Sequence, residues 1–123
     1  MMTCGGLNGL REGTGMRGKL KGILTPEDAA RAVAEGFDGI VVSNHGGRAE
    51  DSGIATIDAI GPIAQEVSGK VPVIFDSGVR RGSDVVKALA MGADQVWIGR
   101  PYIWGLSALG QEGGEAGCRL LDA

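Results

Sequence analysis

The sequence has little of the residues from which most metal and redox sites are built. It contains one histidine and two cysteines in 123 residues. A metal site made of several histidines is therefore excluded, and Cys4 and Cys118 lack the C-x-x-C spacing of zinc and thioredoxin-type sites. Such sparse cysteine use favours a reduced, cytoplasmic setting, with a disulfide between the two cysteines as the alternative.

Long apolar runs and a strong net charge are also missing. No run reaches the ~18 apolar residues of a membrane-spanning helix, and the start of the chain lacks the apolar core of a signal peptide. The formal net charge is −3, with 22% charged residues. Electrostatics therefore give no case for a nucleic-acid partner, and we expect one globular domain without a transmembrane segment.

Glycine is what the sequence has in quantity, with 23 residues. The glycines follow no G-X-Y period, which excludes collagen. Many of them follow predicted strands or end predicted helices, where glycine permits positive φ or the close approach of a ligand. Residues 1–18 are glycine-rich and aperiodic, and we predict a loose N-terminal arm there.

From residue 19 onward, short apolar runs alternate with helical stripes. The first helix is predicted between Thr25, a suitable cap before Pro26, and Gly36, a suitable stop. Later helices are predicted at 54–67, 83–91 and from 102 to 109, before a glycine-rich tail. This alternation predicts parallel strands joined by right-handed crossovers, with ligands at the strands' carboxyl ends. The predicted strands are Leu20–Leu24, Phe37–Ser43, Val71–Asp76 and Gln95–Gly99.

Polar residues lie within or directly after each predicted strand. Glycine lets backbone N–H groups approach an oxyanion, and arginine forks onto phosphate. Taken alone, either glycine- and arginine-containing loop would more often be a turn with surface charges. Two such loops after consecutive strands favour a phosphate site. The polar segments are Lys21, Ser43 to Arg48, Asp76 to Arg81, and Gly99 with Arg100.

The loop after the second strand carries His45 and Arg48. A lone histidine is often structural, but His45 stands where parallel barrels place catalytic groups. Arg48 is suited to bind a carboxylate with both ends of its guanidinium, and its alternative is an ion pair with Glu50 or Asp51. A base and a carboxylate clamp are the minimum for removing a proton from a small acid.

Lys21 and the two tryptophans allow more than one interpretation. Lys21 either points into a barrel mouth, where it would stabilise negative charge, or lies with Lys19 on a solvent-exposed edge strand. For Trp97 we predict core packing, and for Trp104 an interface.

Taken together, these motifs resemble the FMN-dependent 2-hydroxy-acid oxidase and dehydrogenase family, which includes glycolate and lactate oxidases. The resemblance extends from about Leu20 to Gly113. It implies a TIM barrel with FMN at its mouth, which oxidises an L-2-hydroxy acid to the 2-oxo acid. The matching strings are L-K-G-I at 20–23, S-N-H-G-G-R at 43–48, D-S-G-V-R-R-G-S-D at 76–84, K-A-L-A-M-G-A at 87–93 and I-G-R-P at 98–101.

The resemblance also implies residue roles. Lys21 would lie against the N1/C2 carbonyl region of the flavin, His45 would be the catalytic base, and Arg48 would bind the substrate carboxylate. Ser77 departs from the family, which usually has a second glycine there, and residues 17–19 are more polar than a barrel strand. The other implied FMN contacts are Ser43, Asp76, Ser77, Gly78, Val79, Arg80, Gly99 and Arg100.

The length of the chain limits these expectations. A full barrel needs ~250 residues, and the resemblance places the predicted βα units as the last four of eight. Residues 19–123 are thus expected to form the C-terminal half of an FMN-binding TIM barrel with open edges. Such a half-barrel would be a fragment of a longer enzyme, would pair with itself or with another half-barrel, or would be inactive. The alternative function is a non-catalytic module that binds phosphate or FMN.

Overall fold

The computed structural model describes residue 9 and residues 13–49 and 53–121. Strands and helices alternate through these residues in the predicted order, so the α/β architecture is confirmed. The elements are β1 (Lys19–Ile23), α1 (Pro26–Ala34), β2 (Gly39–Val42), α2 (Thr56–Val67), β3 (Val73–Asp76), α3 (Gly82–Ala90), β4 (Gln95–Trp97) and α4 (Arg100–Arg119).

All strands of the described residues form a single parallel sheet in the order β1-β2-β3-β4. The sheet is open, with β1 and β4 at its edges, as expected of a partial barrel. Lys21 pairs with Val41, and Val41 pairs with Ile74. Because paired residues point to the same side of a sheet, these three lie on one face, which we call the inner face.

The opposite face of the sheet carries the hydrophobic core. Ile40 and Val42 of β2 and Phe75 of β3 are buried there against apolar side chains of α1, α2 and α3. Val41 and Ile74 on the inner face are also buried, at 1% and 0% exposure. The continuous apolar run of β2 is therefore covered on both sides, as the sequence predicted.

Helix α1 begins and ends at the predicted signals. The Thr25 hydroxyl accepts a hydrogen bond from the Asp28 N–H at 3.2 Å, and Pro26 is the first helical residue. The chain leaves the helix through Gly36, whose φ is 77°. These contacts satisfy backbone groups that a helix end would otherwise leave unpaired.

The strands are shorter than predicted. β3 begins at Val73 rather than Val71, because Pro72 has no N–H to donate to a neighbouring strand. The Pro72 carbonyl still accepts a hydrogen bond from Ile40 at 3.0 Å. β4 ends at Trp97, so Gly99 lies in the turn that leads into α4.

Helix α4 consists of two halves: the first ends at the predicted Leu109, and the second runs through the glycine-rich tail, where no helix was predicted. It breaks at Leu109 and Gly110, whose dihedral angles are not helical. The two halves lie so close together that a Cβ on Gly105 would overlap the Gly113 carbonyl, and a Cβ on Gly117 would lie 2.8 Å from the Pro101 carbonyl. Glycine at these positions therefore permits the close approach. No helix in the described part of the chain is long and apolar enough to cross a membrane.

The predicted N-terminal arm lies largely outside the described residues. Within it, Gly18 is fixed to the turn before β2: its N–H donates to the Asp38 carboxylate at 2.8 Å, and its carbonyl accepts from the Asp38 N–H at 2.8 Å. The division of the chain into an arm at 1–18 and a domain at 19–123 stays a prediction.

Replacing Gly92 with alanine is expected to lower the free energy of unfolding by about 2–3 kcal/mol. Gly92 ends α3 with φ 105°, and a Cβ there would lie 2.7 Å from the Cβ of Ala64 in α2. Gly69→Ala is the matched control, because Gly69 has φ 74° and nothing within 4 Å of its Cβ position. Urea unfolding should show a smaller loss for the control, and equal losses would mean that α2 moves aside freely.

Candidate active site

The carboxyl ends of all strands of the described sheet meet around one concave site. The site has a volume of about 360 Å³. Nine of the eleven predicted site residues line it; Ser43 is buried beneath it, and Arg80 lies in a smaller concavity beside it. The lining residues are Lys21, His45, Gly46, Arg48, Asp76, Ser77, Gly78, Val79, Trp97, Gly99, Arg100 and Ile103.

Lys21, Ser43 and Asp76 form a hydrogen-bonded triangle on the inner face. The Lys21 Nζ lies 2.5 Å from Asp76 Oδ2 and donates to Ser43 Oγ at 2.6 Å. The Ser43 hydroxyl donates in turn to Asp76 Oδ2 at 2.6 Å. Lys21 therefore points into the concave site, although β1 is an edge strand of the described sheet and the Lys21 side chain is 38% exposed.

The environment of Asp76 keeps its carboxylate ionised. Burial alone would raise the pKa of Asp76, but hydrogen bonds from Lys21 and Ser43, the positive charge of Lys21 and the Ser77 N–H outweigh it. The pKa of Asp76 is consequently lowered below its ordinary value of 3.8. The pair thus places a fixed positive charge next to a stable negative one.

The ion pair and hydrogen bonds of Asp76 predict that the free energy of unfolding depends on pH. A lowered folded-state pKa contributes stability that is complete above the ordinary value of 3.8 and is lost as the pH falls through the folded-state value. Asp76→Asn should therefore cost most stability above about pH 4 and progressively less below it. Urea unfolding between about pH 5 and pH 2 checks this. Glu66→Gln, at an exposed position of α2, is the control, and a pH-independent effect of Asp76→Asn would contradict the prediction.

His45 lies at the start of a left-handed turn. Its φ is 55°, and Gly46 and Gly47 follow with φ of 72° and 75°. The His45 N–H donates to Ser43 Oγ at 3.1 Å, while Asn44 Oδ1 accepts from the N–H groups of Gly46 and Gly47 at 3.0 and 3.2 Å. Short polar side chains and glycines suit this turn because they tolerate positive φ.

The imidazole of His45 lies over the backbone of β1. A Cβ on Gly22 would stand 3.0 Å from His45 Nε2, and Gly22 itself has φ 101°. Gly22 therefore makes room for the ring, a role that sequence reasoning missed. The signal was its place inside the matching string at 20–23, directly after Lys21.

Arg48 lies on the same turn as His45. Its Nε donates to the His45 carbonyl at 3.3 Å, which places the guanidinium on the exposed side of the site. Glu50 and Asp51, the alternative partners considered for Arg48, lie outside the described residues.

The loops after β3 and β4 adjoin each other and the start of α4. Asp84 of α3 accepts from the N–H groups of Arg80 and Arg81 at 3.1 Å each, and these hydrogen bonds lower the pKa of Asp84. Gly78, Arg80, Arg100 and Trp104 line the smaller concavity between these loops. Arginine side chains and a helix N-terminus together favour an anion.

Arg100 also connects β4 with the His45 turn. Its guanidinium donates to the Gly46 carbonyl at 3.1 Å. A Cβ on Gly46 would lie only 2.6 Å from the Arg100 Nη2, so glycine is required for this approach. The string at 43–48 includes Gly46, but sequence reasoning did not predict its contact with Arg100.

Trp97 is not a core residue, and this prediction was wrong. Its side chain is 40% exposed and lines the site, because its pairing with Asp76 places it on the inner face. The Lys19 Nζ lies 6.0 Å from the centroid of the Trp97 ring, a cation–π distance that links the two edge strands. Trp104 is 55% exposed, and its interface role stays a prediction.

Comparison with known proteins gives one consistent result. A family model described as FMN-dependent dehydrogenase matches residues 2–123. The chain is 58% identical over 96 residues to an L-lactate oxidase of Lysinibacillus sphaericus, covering 78% of this chain and 25% of the relative. It is likewise 58% identical over 94 residues to a peroxisomal (S)-2-hydroxyacid oxidase of Arabidopsis thaliana, covering 76% and 26%.

A solved structure extends the similarity to the fold. A mandelate oxidase variant with a monooxide FMN adduct superposes with a TM-score of 0.90 at 47% identity, covering 97% of this chain and 38% of that one. The chain spans about a quarter of the length of the curated relatives it matches. The placement of its βα units as the last four of a barrel is not confirmed by these matches and stays a prediction.

Proposed function

Because this chain belongs to the FMN-dependent dehydrogenase family, we propose that the protein containing it oxidises an L-2-hydroxy acid to the 2-oxo acid with FMN. One observation carries the proposal: Lys21, His45 and Arg48 line the same concave site as the two loops suited to phosphate. Bound FMN would supply the two-electron redox chemistry that amino-acid side chains lack. The chain's own residues supply position, charge and a base.

The described residues fit FMN at both of its ends. Arg80 and Arg100 flank a concavity at the start of α4, which suits a phosphate. Gly78 has φ 79° and nothing within 4 Å of its Cβ position, so its backbone is open to a ligand. At the other end of the site, Lys21 offers a positive charge to a ring that gains negative charge on reduction.

We assign the cofactor contacts to the predicted set. Asp76 and Ser43 hold the Lys21 ammonium through hydrogen bonds of 2.5 and 2.6 Å, so its position is fixed before a ligand binds. Preorganised charge of this kind needs no rearrangement during the reaction. The remaining proposed contacts are Ser77, Gly78, Val79, Arg80, Gly99 and Arg100.

The substrate is assigned to the turn after β2. We assign the substrate carboxylate to Arg48, whose planar guanidinium matches a carboxylate with two parallel hydrogen bonds. His45 would receive the proton of the 2-hydroxyl. The hydrogen on the 2-carbon and two electrons would leave the substrate for the FMN bound in the site, so that the 2-carbon becomes a carbonyl carbon. Both side chains come from one short turn, so a small acid can contact both at once.

The open sheet makes a second half of the barrel part of the proposal. In the sheet of the described residues, β1 and β4 each pair with another strand on one side only, and such edges are prone to pair with further strands. We propose that the rest of a longer protein, or another half-barrel, covers them. The alternative of a non-catalytic module is favoured by the same open sheet: the chain alone would bind FMN or phosphate without turnover. A cytoplasmic location stays a prediction.

A graft tests the proposed function. The matching segment of the Lysinibacillus sphaericus L-lactate oxidase is replaced by this chain, which is 58% identical to it. The purified graft should be yellow, should retain FMN through gel filtration, and should oxidise L-lactate. A folded graft that retains FMN without turnover would support the non-catalytic module, and one that takes up no FMN would contradict both.

A further inference from the structure

Ser77 adopts a backbone conformation that a serine rarely adopts. Its φ is 82°, in the left-handed region, and the next residue, Gly78, has φ 79°. Glycine populates this region without a steric penalty, whereas a side chain adds a conformational cost. The contacts of the Ser77 side chain therefore have to offset that cost for this conformation to be stable.

Three structural elements meet at Ser77. Its Oγ accepts from the Gly46 N–H at 3.2 Å and lies 3.3 Å from Ser43 Oγ. Its carbonyl accepts from the hydroxyl of Thr56, the buried first residue of α2, at 3.2 Å. The left-handed conformation thus directs the side chain of Ser77 toward the turn after β2 while its carbonyl faces α2.

The backbone of Gly46 is where the end of β3 and the start of α4 form hydrogen bonds with the His45 turn. Within the turn, Asn44 already accepts from the Gly46 N–H at 3.0 Å. The second acceptor, Ser77, comes from the end of β3, and Arg100 from the start of α4 donates to the Gly46 carbonyl at 3.1 Å. A shift of this peptide would move the neighbouring backbone of His45.

We propose that Ser77 is a positioning residue for the active site. Its hydroxyl fixes the Gly46 peptide, and through it His45, relative to the end of β3, where Asp76 and Lys21 lie. The catalytic meaning of this contact rests on the proposed function, because that function makes His45 the base. The competing view is that Ser77 only forms a turn, in which case glycine would serve at least as well.

The main test uses the lactate oxidase graft, or the 123-residue chain without cofactor once a cooperative urea transition has shown that this chain folds on its own. His45 is the single histidine of this chain, so in the chain alone the imidazole NMR signals have one source. In Ser77→Gly, amide exchange of Gly46 should rise about threefold to tenfold, the effect of one lost hydrogen bond, and the His45 signals should shift. The thermal midpoint should stay equal or rise, because glycine relieves the backbone. The Gly47 amide, held by Asn44, should exchange at the wild-type rate.

Ser68→Gly is the matched control. Ser68 is also a serine with positive φ, 49°, but it ends α2 at a distance from the His45 turn along the chain. Its replacement should leave Gly46 exchange and the His45 signals unchanged. Ser77→Ala keeps the Cβ and removes the hydroxyl. It should therefore show the same faster Gly46 exchange and shifted His45 signals as Ser77→Gly, but with a thermal midpoint below that of the wild type.

Two results separate this inference from the proposed function. Wild-type Gly46 exchange and His45 signals in Ser77→Gly would overturn the positioning role. In the lactate oxidase graft, Ser77→Gly should lower kcat when turnover is counted per bound FMN. If the graft has no turnover at all, the proposed function fails, and the NMR result still decides what Ser77 does.

Discussion

Replacing His45 with glutamine in the lactate oxidase graft is expected to reduce L-lactate turnover about 10²- to 10⁴-fold with FMN still bound. Glutamine keeps a polar side chain of similar reach but cannot accept a proton at neutral pH. His45 is the only histidine of the chain. Its loss therefore removes the only imidazole that this chain brings to the site.

Asp76 is the other proton acceptor to consider, because it also lines the site. Its carboxylate is engaged by Lys21 and Ser43, and its pKa is lowered by those contacts. A carboxylate with a lowered pKa is a weak base near neutral pH, so it cannot replace an imidazole. Glutamine at position 45 should consequently leave no efficient route for the proton.

The measurement is oxygen consumption with L-lactate, together with the flavin absorbance of the same sample. Lys70→Gln is the control, because Lys70 is an exposed residue in the turn before β3, at the opposite end of the strands. Undiminished turnover in the His45 variant would place the base elsewhere. Loss of FMN from that variant would instead favour a structural histidine.

The architecture and the clustering of the site were predictable because both follow from local patterns. The apolar run of β2 and the cap at Thr25 fix where elements begin, and alternation of strand and helix fixes a parallel sheet. Residues at the carboxyl ends of such strands must meet at one edge. His45 and Arg100 could therefore be placed together without coordinates, whereas local patterns left Lys21 open between a barrel mouth and a solvent-exposed edge strand.

Contacts between distant residues were not predictable in the same way. Nothing local in the sequence relates Gly22 to His45 or Gly46 to Arg100, because these contacts depend on how the loops fold over the sheet. The inward position of Trp97 depends on the strand register, since a shift of one residue moves a side chain to the other face. The second half of α4 was missed because glycine lowers helix propensity, whereas here glycines permit close packing of the two halves.

Gly22→Ala is expected to have the second large effect, about a 100-fold loss of turnover from a misplaced base. The new Cβ would lie 3.0 Å from His45 Nε2, which is closer than most Cβ contacts allow, and 3.8 Å from Cε1, which is an ordinary contact distance. The ring or the strand must therefore shift. Because Gly22 directly follows Lys21, a shift of the strand would also disturb the hydrogen bonds to Ser43 and Asp76.

Backbone strain has to be separated from this contact. Gly22 has φ 101°, so alanine there is strained whatever it touches. Gly69→Ala carries similar strain at φ 74° with open space around its Cβ position. It should lower stability without changing turnover or the His45 imidazole signals, whereas Gly22→Ala should change both.

A double variant distinguishes the two ways in which Gly22→Ala would act. If it acts only through the imidazole, adding it to His45→Gln should reduce turnover little further, because the group it displaces is already gone. If it also moves Lys21, the double variant should lose more turnover and bind FMN more weakly than His45→Gln alone. Full turnover in Gly22→Ala would show that the ring does not lie over Gly22 during the reaction, and the position of His45 described for the site would then not be its working position.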